Sequence, residues 1–508
     1  MNAGMLLTIG IYLCGMIYIG WRFSKKTSDT DDFFLGGRSL GPFVTAMSAE
    51  ASDMSSYLLM GLPGLAYLTG MADVGWTIIG LSIGTYLNWL FTAKRLRRYS
   101  ERLGSITIPA FFSDRYHDRK RTLQLIAAIV IIIFFVPYTA SGFAACGKLF
   151  STLFGIDYHL AMIVSAIVII LYTMLGGFMA ASTTDLIQSI IMSFALVMIL
   201  FFGISVAGGW NAVMDNAAKL PGYLSMNATY DPVSKTSSPY TFLTICSTLA
   251  WGLGYFGMPH ILLRFMAIEH EDKIVLSRRI ASVWVVISMA ISVLIGFVGL
   301  AVSAKGIIPF LEGSASETVI VQLSSLIAQK GFFFAMIAGL VIAGILASTM
   351  STADSQLLAA SSSVSSDIMQ DFMHMKIDDN KKLQVSRMTL AAIAVIGIIL
   401  AWDSNSNVFR IVSFAWAGFG AAFGPVMLLA LFWKRSNKAG ALAGLIVGGA
   451  MVFIWKFLIA PMGGILSIYE LLPAFILSLI VNVIVSLVTP EPDREIQKIY
   501  DEVHAAGK

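Results

Sequence analysis

Apolar runs long enough to cross a bilayer recur along the whole chain, broken by short polar stretches. They fall at 3–23, 42–70, 74–93, 122–152, 159–177, 183–208, 239–266, 278–303, 331–363, 386–402, 408–433, 439–460 and 467–489. The pattern predicts an all-α membrane protein of about 13 transmembrane helices, referred to below as segments one to thirteen. The first run precedes its charges (Arg22, Lys25, Lys26) and no small-residue cleavage site follows it, so it reads as a retained helix. Stretch 317–329 is amphipathic at helical spacing and predicts a short helix on the outer surface.

Lysine and arginine divide the connecting stretches into two classes. One set of alternate loops is basic: Arg22 to Arg38, Lys94 to Arg121, Arg264 to Arg279, Lys376 to Arg387 and Lys434 to Lys438. The intervening loops are poor in both residues. Basic loops stay on the cytoplasmic side, so the amino terminus is expected outside and the carboxyl terminus inside. An odd helix count fits that arrangement.

Composition narrows the class further. Of 508 residues 57% are hydrophobic and only 13% charged, with a mean hydropathy of +0.79. The partner implied is a lipid bilayer. No basic tract points to nucleic acid. Cys14, Cys146 and Cys246 lie in apolar stretches without metal-ligand spacing. No HExxH or GxSxG motif supports an enzyme, and the polar stretch 490–508 offers no room for a catalytic domain.

Three stretches carry chemistry that a purely structural helix would avoid. Segment two holds Glu50 and Asp53 with Ser48, Ser52, Ser55 and Ser56, then Gly61-Leu62-Pro63-Gly64, which predicts a kink. A carboxylate at mid-membrane costs about 2.5–3.5 kcal/mol on insertion scales and calls for a cation, a basic partner or a proton; the plain alternative is an acid solvating a cavity. Segment seven reads Trp251-Gly-Leu-Gly-Tyr255-Phe-Gly-Met-Pro259-His260, which argues against a continuous helix. Free backbone at that depth lines a cavity, and aromatic walls suit a small polar solute; the alternative is a packing face. Segment nine carries Ser348, Thr349, Ser351, Thr352, Asp354, Ser355 and Gln356. Neutral hydroxyls suit an alkali cation such as Na+, against the alternative that they bond back to their own helix. Asp185 is a further acid in a helix, with N-capping as its ordinary role. Two broken helices five apart point to an inverted-repeat transporter. A gated carrier fits broken helices with an aromatic plug better than an ion channel does.

These residues together resemble the sodium:solute symporter family, in particular its bacterial proline-carrying members. The likeness runs over nearly the whole chain, most densely at Leu35–Phe43, Ala51–Ser55, Leu59–Gly64, Trp251–Gly257, Pro259–Leu262 and Trp416–Pro425. It implies a LeuT-type five-plus-five inverted-repeat core, 42–208 and 239–433, with one helix before (3–23) and two peripheral helices after (439–489). It implies symport of sodium with a small solute, L-proline first, by alternating access in the bacterial cytoplasmic membrane, by a chain that works as a monomer. The implied sodium ligands are Ala51, Met54 and Ser348 through carbonyls and Ser351 and Thr352 through side chains, with Asp53 and Ser55 beside them. Asp185, Asp354 and Ser355 would hold a second cation, together with Ser351. Tyr138, Trp251, Tyr255 and Pro259 would line the solute pocket. The chain departs from proline carriers at Glu50, Ser56-Tyr57, Met258 and Asp354. That leaves another amino acid, a carboxylate or a sugar-like solute open, and makes Glu50 a candidate for pH sensitivity.

Overall fold

The computed structural model describes residues 3–403 and 408–505. Among these, ten helices are long and apolar enough to span a membrane. That number is smaller than the count of apolar runs for physical reasons. Segments five and six form one helix, Tyr158–Ala207, bent at Gly177 (φ +58°) with no loop between. Segments two and seven are interrupted and fail as continuous spans.

Segment two runs as Pro42–Ser56, a wide π turn at Tyr57–Gly61, and Leu62–Thr69. The break falls at Ser55 (φ +47°, ψ −165°), earlier than the Gly-Leu-Pro-Gly stretch that predicted it. Pro63 instead sits in the first turn of the second half, where its missing N–H is harmless. The carbonyl of Leu58, exposed by the wide turn, accepts a 2.6 Å hydrogen bond from Ser292 of segment eight. Segment seven runs as Phe242–Leu249, a tighter 3-10 turn at Ala250–Phe256, and Pro259–Ala267. The two broken segments are tied together at their basic-side ends: Leu40 N–H donates to the Ala267 carbonyl (3.1 Å) and Glu269 N–H to that of Leu40 (2.9 Å).

Segment nine, Phe332–Ser362, is the hub and packs on segments one, two, four, five and six. It is buried along almost its whole second half, from Val341 to Ser362. Glycines let backbones touch where segment three, Met71–Leu87, meets segment seven. A Cβ on Gly84 would lie 2.3 Å from the Gly252 carbonyl oxygen, and one on Gly252 would lie 2.2 Å from that of Gly80.

Two connecting stretches add detail to the helical reading. Residues Ala228–Asp231 and Thr236–Pro239 pair as a small antiparallel hairpin, with Ala228 opposite Pro239, in a loop of the all-α fold. The short helix expected within 317–329 forms at Val319–Ala328. It is sunk into the bundle, with Val319, Ile320, Leu323 and Ile327 buried, instead of lying on the surface.

Candidate functional site

The ion-site residues meet where the break in segment two faces the middle of segment nine. Ser351 donates a 2.8 Å hydrogen bond to the Ala51 carbonyl, joining stretches 300 residues apart. Ala51 can accept it because the helix that would claim its carbonyl ends four residues later. The Met54 carbonyl caps the same break, taking the Tyr57 N–H. Ser55 turns its hydroxyl to that same N–H at 3.2 Å. Thr352 bonds back to the Ser348 carbonyl at 3.2 Å, the ordinary role for a helical hydroxyl. It also lines a small hollow with Ser55, Ser56, Tyr138 and Gln356. Ala51, Met54, Ser348, Ser351 and Thr352 are all buried.

A second hollow adjoins the first through Ser55 and Tyr138 and is walled by Asp53, Met54, Tyr57, Trp251, Val412 and Trp416. Its volume is about 20 Å³, room for about one water. An amino-acid-sized solute enters only if the walls move. Trp251 stacks between Tyr57 (5.9 Å, 17°) and Tyr469 (4.9 Å, 18°), and its carbonyl takes the indole N–H of Trp416 at 2.8 Å.

Of the four residues expected to bind solute, Tyr138 and Trp251 line this hollow. Tyr255 reaches it indirectly, donating 2.6 Å to Asp53 Oδ2. Pro259 opens the helix beyond and is not part of the lining. Trp251 and Tyr255, four apart, do not share a face as they would on a regular α-helix. In a 3-10 turn, residues four apart point about 120° from each other, so Trp251 faces the aromatic stack and Tyr255 faces Asp53. Tyr57 and Trp416, missed in the sequence, complete the walls; Trp416 stands in the Trp416–Pro425 stretch, where only its place in a motif was noticed.

Glu50 is buried, and among the described residues no basic group pairs with it. Its Oε1 accepts from Thr85 (3.1 Å) and the Trp89 indole (2.9 Å). Its Oε2, like Asp53 Oδ1, has no partner among the described residues.

Asp185, Asp354 and Ser355 come together in a separate cluster one helical turn from Ser351. Asp185 is no N-cap: it lies inside the helix past the Gly177 bend and is fully buried. Arg264, which the sequence placed among loop charges, is 1% exposed and sits inside this cluster. It is a protein-interior residue and drops out of the loop charge count, which stays basic without it. Its partner Asp185 lies 79 residues away, and a lone arginine in the apolar run His260–Ala267 was the signal available.

Comparison with known proteins decides what this architecture is. The profile of the sodium:solute symporter family matches residues 33–448. The chain belongs to the sodium:solute symporter family. It is 40% identical to the osmoregulated proline transporter of Bacillus subtilis over 98% of both chains. It is also 40% identical to the sodium/proline symporter of Escherichia coli, over 99% of this chain and 96% of that one. Among solved structures, a substrate-bound, outward-open sodium-coupled sialic acid symporter superposes with a TM-score of 0.79 at 20% identity, over 97% of this chain and 99% of that one. A nucleobase-cation-symport-1 transporter in a closed conformation gives 0.58 at 13%, over 93% and 98%. These likenesses establish the LeuT-type fold. The family identifies the chain as a multi-pass sodium-coupled solute transporter, with Na+ as the coupling ion.

Proposed function

We propose that this chain takes up L-proline with sodium across the bacterial cytoplasmic membrane by alternating access, as a monomer, with its amino terminus outside. Relatives at 40% identity over nearly full length that are named for proline support the solute. The observation that carries the mechanism is the Ser351 hydroxyl on the Ala51 carbonyl.

The sodium site in this reading consists of the carbonyls of Ala51, Met54 and Ser348 with the hydroxyls of Ser351 and Thr352. Neutral hard oxygens replace the hydration shell of an alkali ion. Carbonyls at the end of Pro42–Ser56 present the negative end of a helix to the cation. Asp53 lies just beyond, tethered by Tyr255, and adds field without the rigidity of direct ligation. Sodium drawing the broken end of segment two against segment nine then fixes Ser55 and Tyr57, which border the aromatic hollow. The pyrrolidine ring of proline packs between Trp251, Tyr57 and Trp416, and its ammonium faces their rings.

The halves 42–208 and 239–433 act as the two repeats. The broken segments, joined at Leu40 and Ala267–Glu269, move as one body against segment nine. Sodium entry supplies about 2.3 kcal/mol per charge per 100 mV. The test is radiolabelled proline uptake into proteoliposomes with and without an inward sodium gradient, challenged with unlabelled amino acids, carboxylates and sugars. Sodium-driven uptake blocked best by proline is expected. Sodium-driven uptake of another competitor, with proline inert, would replace proline while keeping the class.

A further inference from the structure

The oxygen cluster around Asp185 and Asp354 already contains a cation, supplied by the chain. Arg264 projects from the middle of the helix Pro259–Ala267 and is enclosed on every side. Its Nη2 lies 3.2 Å from Asp185 Oδ2 and donates 2.6 Å to Ser355 Oγ. Its Nε donates 3.0 Å to Ser48 Oγ, which in turn donates a hydrogen bond to Asp185 Oδ2 at 2.6 Å. Its Nη1 holds the His260 carbonyl at 2.9 Å, and the guanidinium plane lies over the Phe178 ring. Ser355 also bonds to Asp354, whose other oxygen accepts from Tyr172 at 2.8 Å.

Asp185, Asp354 and Ser355 are the oxygens that the family resemblance assigns to a second cation. An arginine here is a different occupant. A metal ion and a guanidinium both need the Ser355 hydroxyl and the Asp185 carboxylate, and two like charges that close inside the protein repel strongly. We propose that Arg264 is a tethered cation occupying the second cation site, so that sodium binds only at the site formed by segments two and nine, and that removing the guanidinium uncovers a second sodium site. In this conformation a fixed charge links segments two, six, seven and nine without waiting for an ion, and the Arg264–Ser355 bond is the link that parts when the broken segments move against segment nine. It also bears on the main site, because Ser355 bonds to the Ser351 carbonyl at 2.9 Å.

The inference rests on sodium coupling but not on proline. The experiment is therefore equilibrium binding of radioactive sodium to the purified full chain, with no solute present. The wild type is expected to bind one sodium per chain. Arg264→Gln and Arg264→Met, which remove the charge with and without hydrogen-bonding capacity, are expected to bind two. Asp185→Asn added to either variant is expected to return the count to one, and Arg264→Lys to keep it at one. Two sodium ions on the wild type would overturn the proposal outright, even if every variant failed to fold. So would a count of one for a folded charge-removed variant, or a second ion that survives Asp185→Asn. Failure of the wild type to carry proline would remove the solute reading and leave these counts readable.

Discussion

Replacing Ser351 by alanine removes a side chain that bridges the break in segment two and the centre of segment nine. In the resting geometry its hydroxyl is spent on the Ala51 carbonyl at 2.8 Å. In the sodium site proposed above both oxygens turn to the ion, so the variant should lose a ligand and leave Ala51 less well placed. A neutral partner on a charged group is worth about 1.5–3 kcal/mol, which corresponds to a roughly 10- to 150-fold rise in the sodium concentration for half-maximal uptake. Thr352→Ala added to it raises that further, less than additively because the two hydroxyls share one ion. The assay is initial-rate uptake in proteoliposomes across a series of sodium concentrations at fixed membrane potential. Maximal rate at saturating sodium should be largely retained. Linkage requires solute affinity at low sodium to fall with sodium affinity, by a factor bounded by the coupling between the two sites. An unchanged sodium activation curve in the double variant, with protein correctly folded, would falsify the assignment of this site.

Other expectations follow from single contacts. Glu50→Gln keeps the shape that meets Thr85 and Trp89 but cannot lose a proton, so uptake should persist and become less dependent on pH between 5.5 and 8.5, on the order of severalfold across that window if Glu50 titrates in the cycle; superimposable pH profiles would remove Glu50 from it. Trp251→Leu takes away the ring stacked between Tyr57 and Tyr469, and should raise the solute KM by at least tenfold, or about 1.4 kcal/mol, while equilibrium sodium binding stays near wild type. Gly84→Val places a Cβ where only 2.3 Å separates it from the Gly252 carbonyl oxygen. It should destabilise the detergent-solubilised protein by about 1–3 kcal/mol, seen as a lower melting temperature, and a wild-type melting curve would mean that the two segments part easily.

The broken segments were legible because their chemistry is local: two acids and four serines within Ser48–Ser56, and three glycines and a proline within Gly252–Pro259. The position of the first break was not. Ser55 adopts a positive φ although nothing in Ala51–Ser56 marks a turn, because the strain is held by tertiary contacts such as Ser351 on Ala51. Arg264 was misplaced for a related reason. Charge and hydropathy locate a residue along the membrane normal but say nothing of what it faces, and its partners Ser355 and Ser48 lie 91 and 216 residues off. Separation in sequence, 35 and 39 residues, likewise hid Thr85 and Trp89 as partners of Glu50. The single helix bent at Gly177 shows the converse: a left-handed glycine lets two spans join without the polar loop that periodicity expects between them.

The contact of Gly80, Gly84 and Gly252 has a mechanical consequence. Interlocked side chains behave like meshed gears, and shifting one helix past another means lifting each tooth out of its socket. Here bare backbone rests on bare backbone, a smooth bearing with no rotamers to reset. In the alternating-access cycle proposed above, this contact would let segment seven glide along segment three, and the resistance to that stroke would arise at the stacked rings of Tyr57, Trp251 and Tyr469.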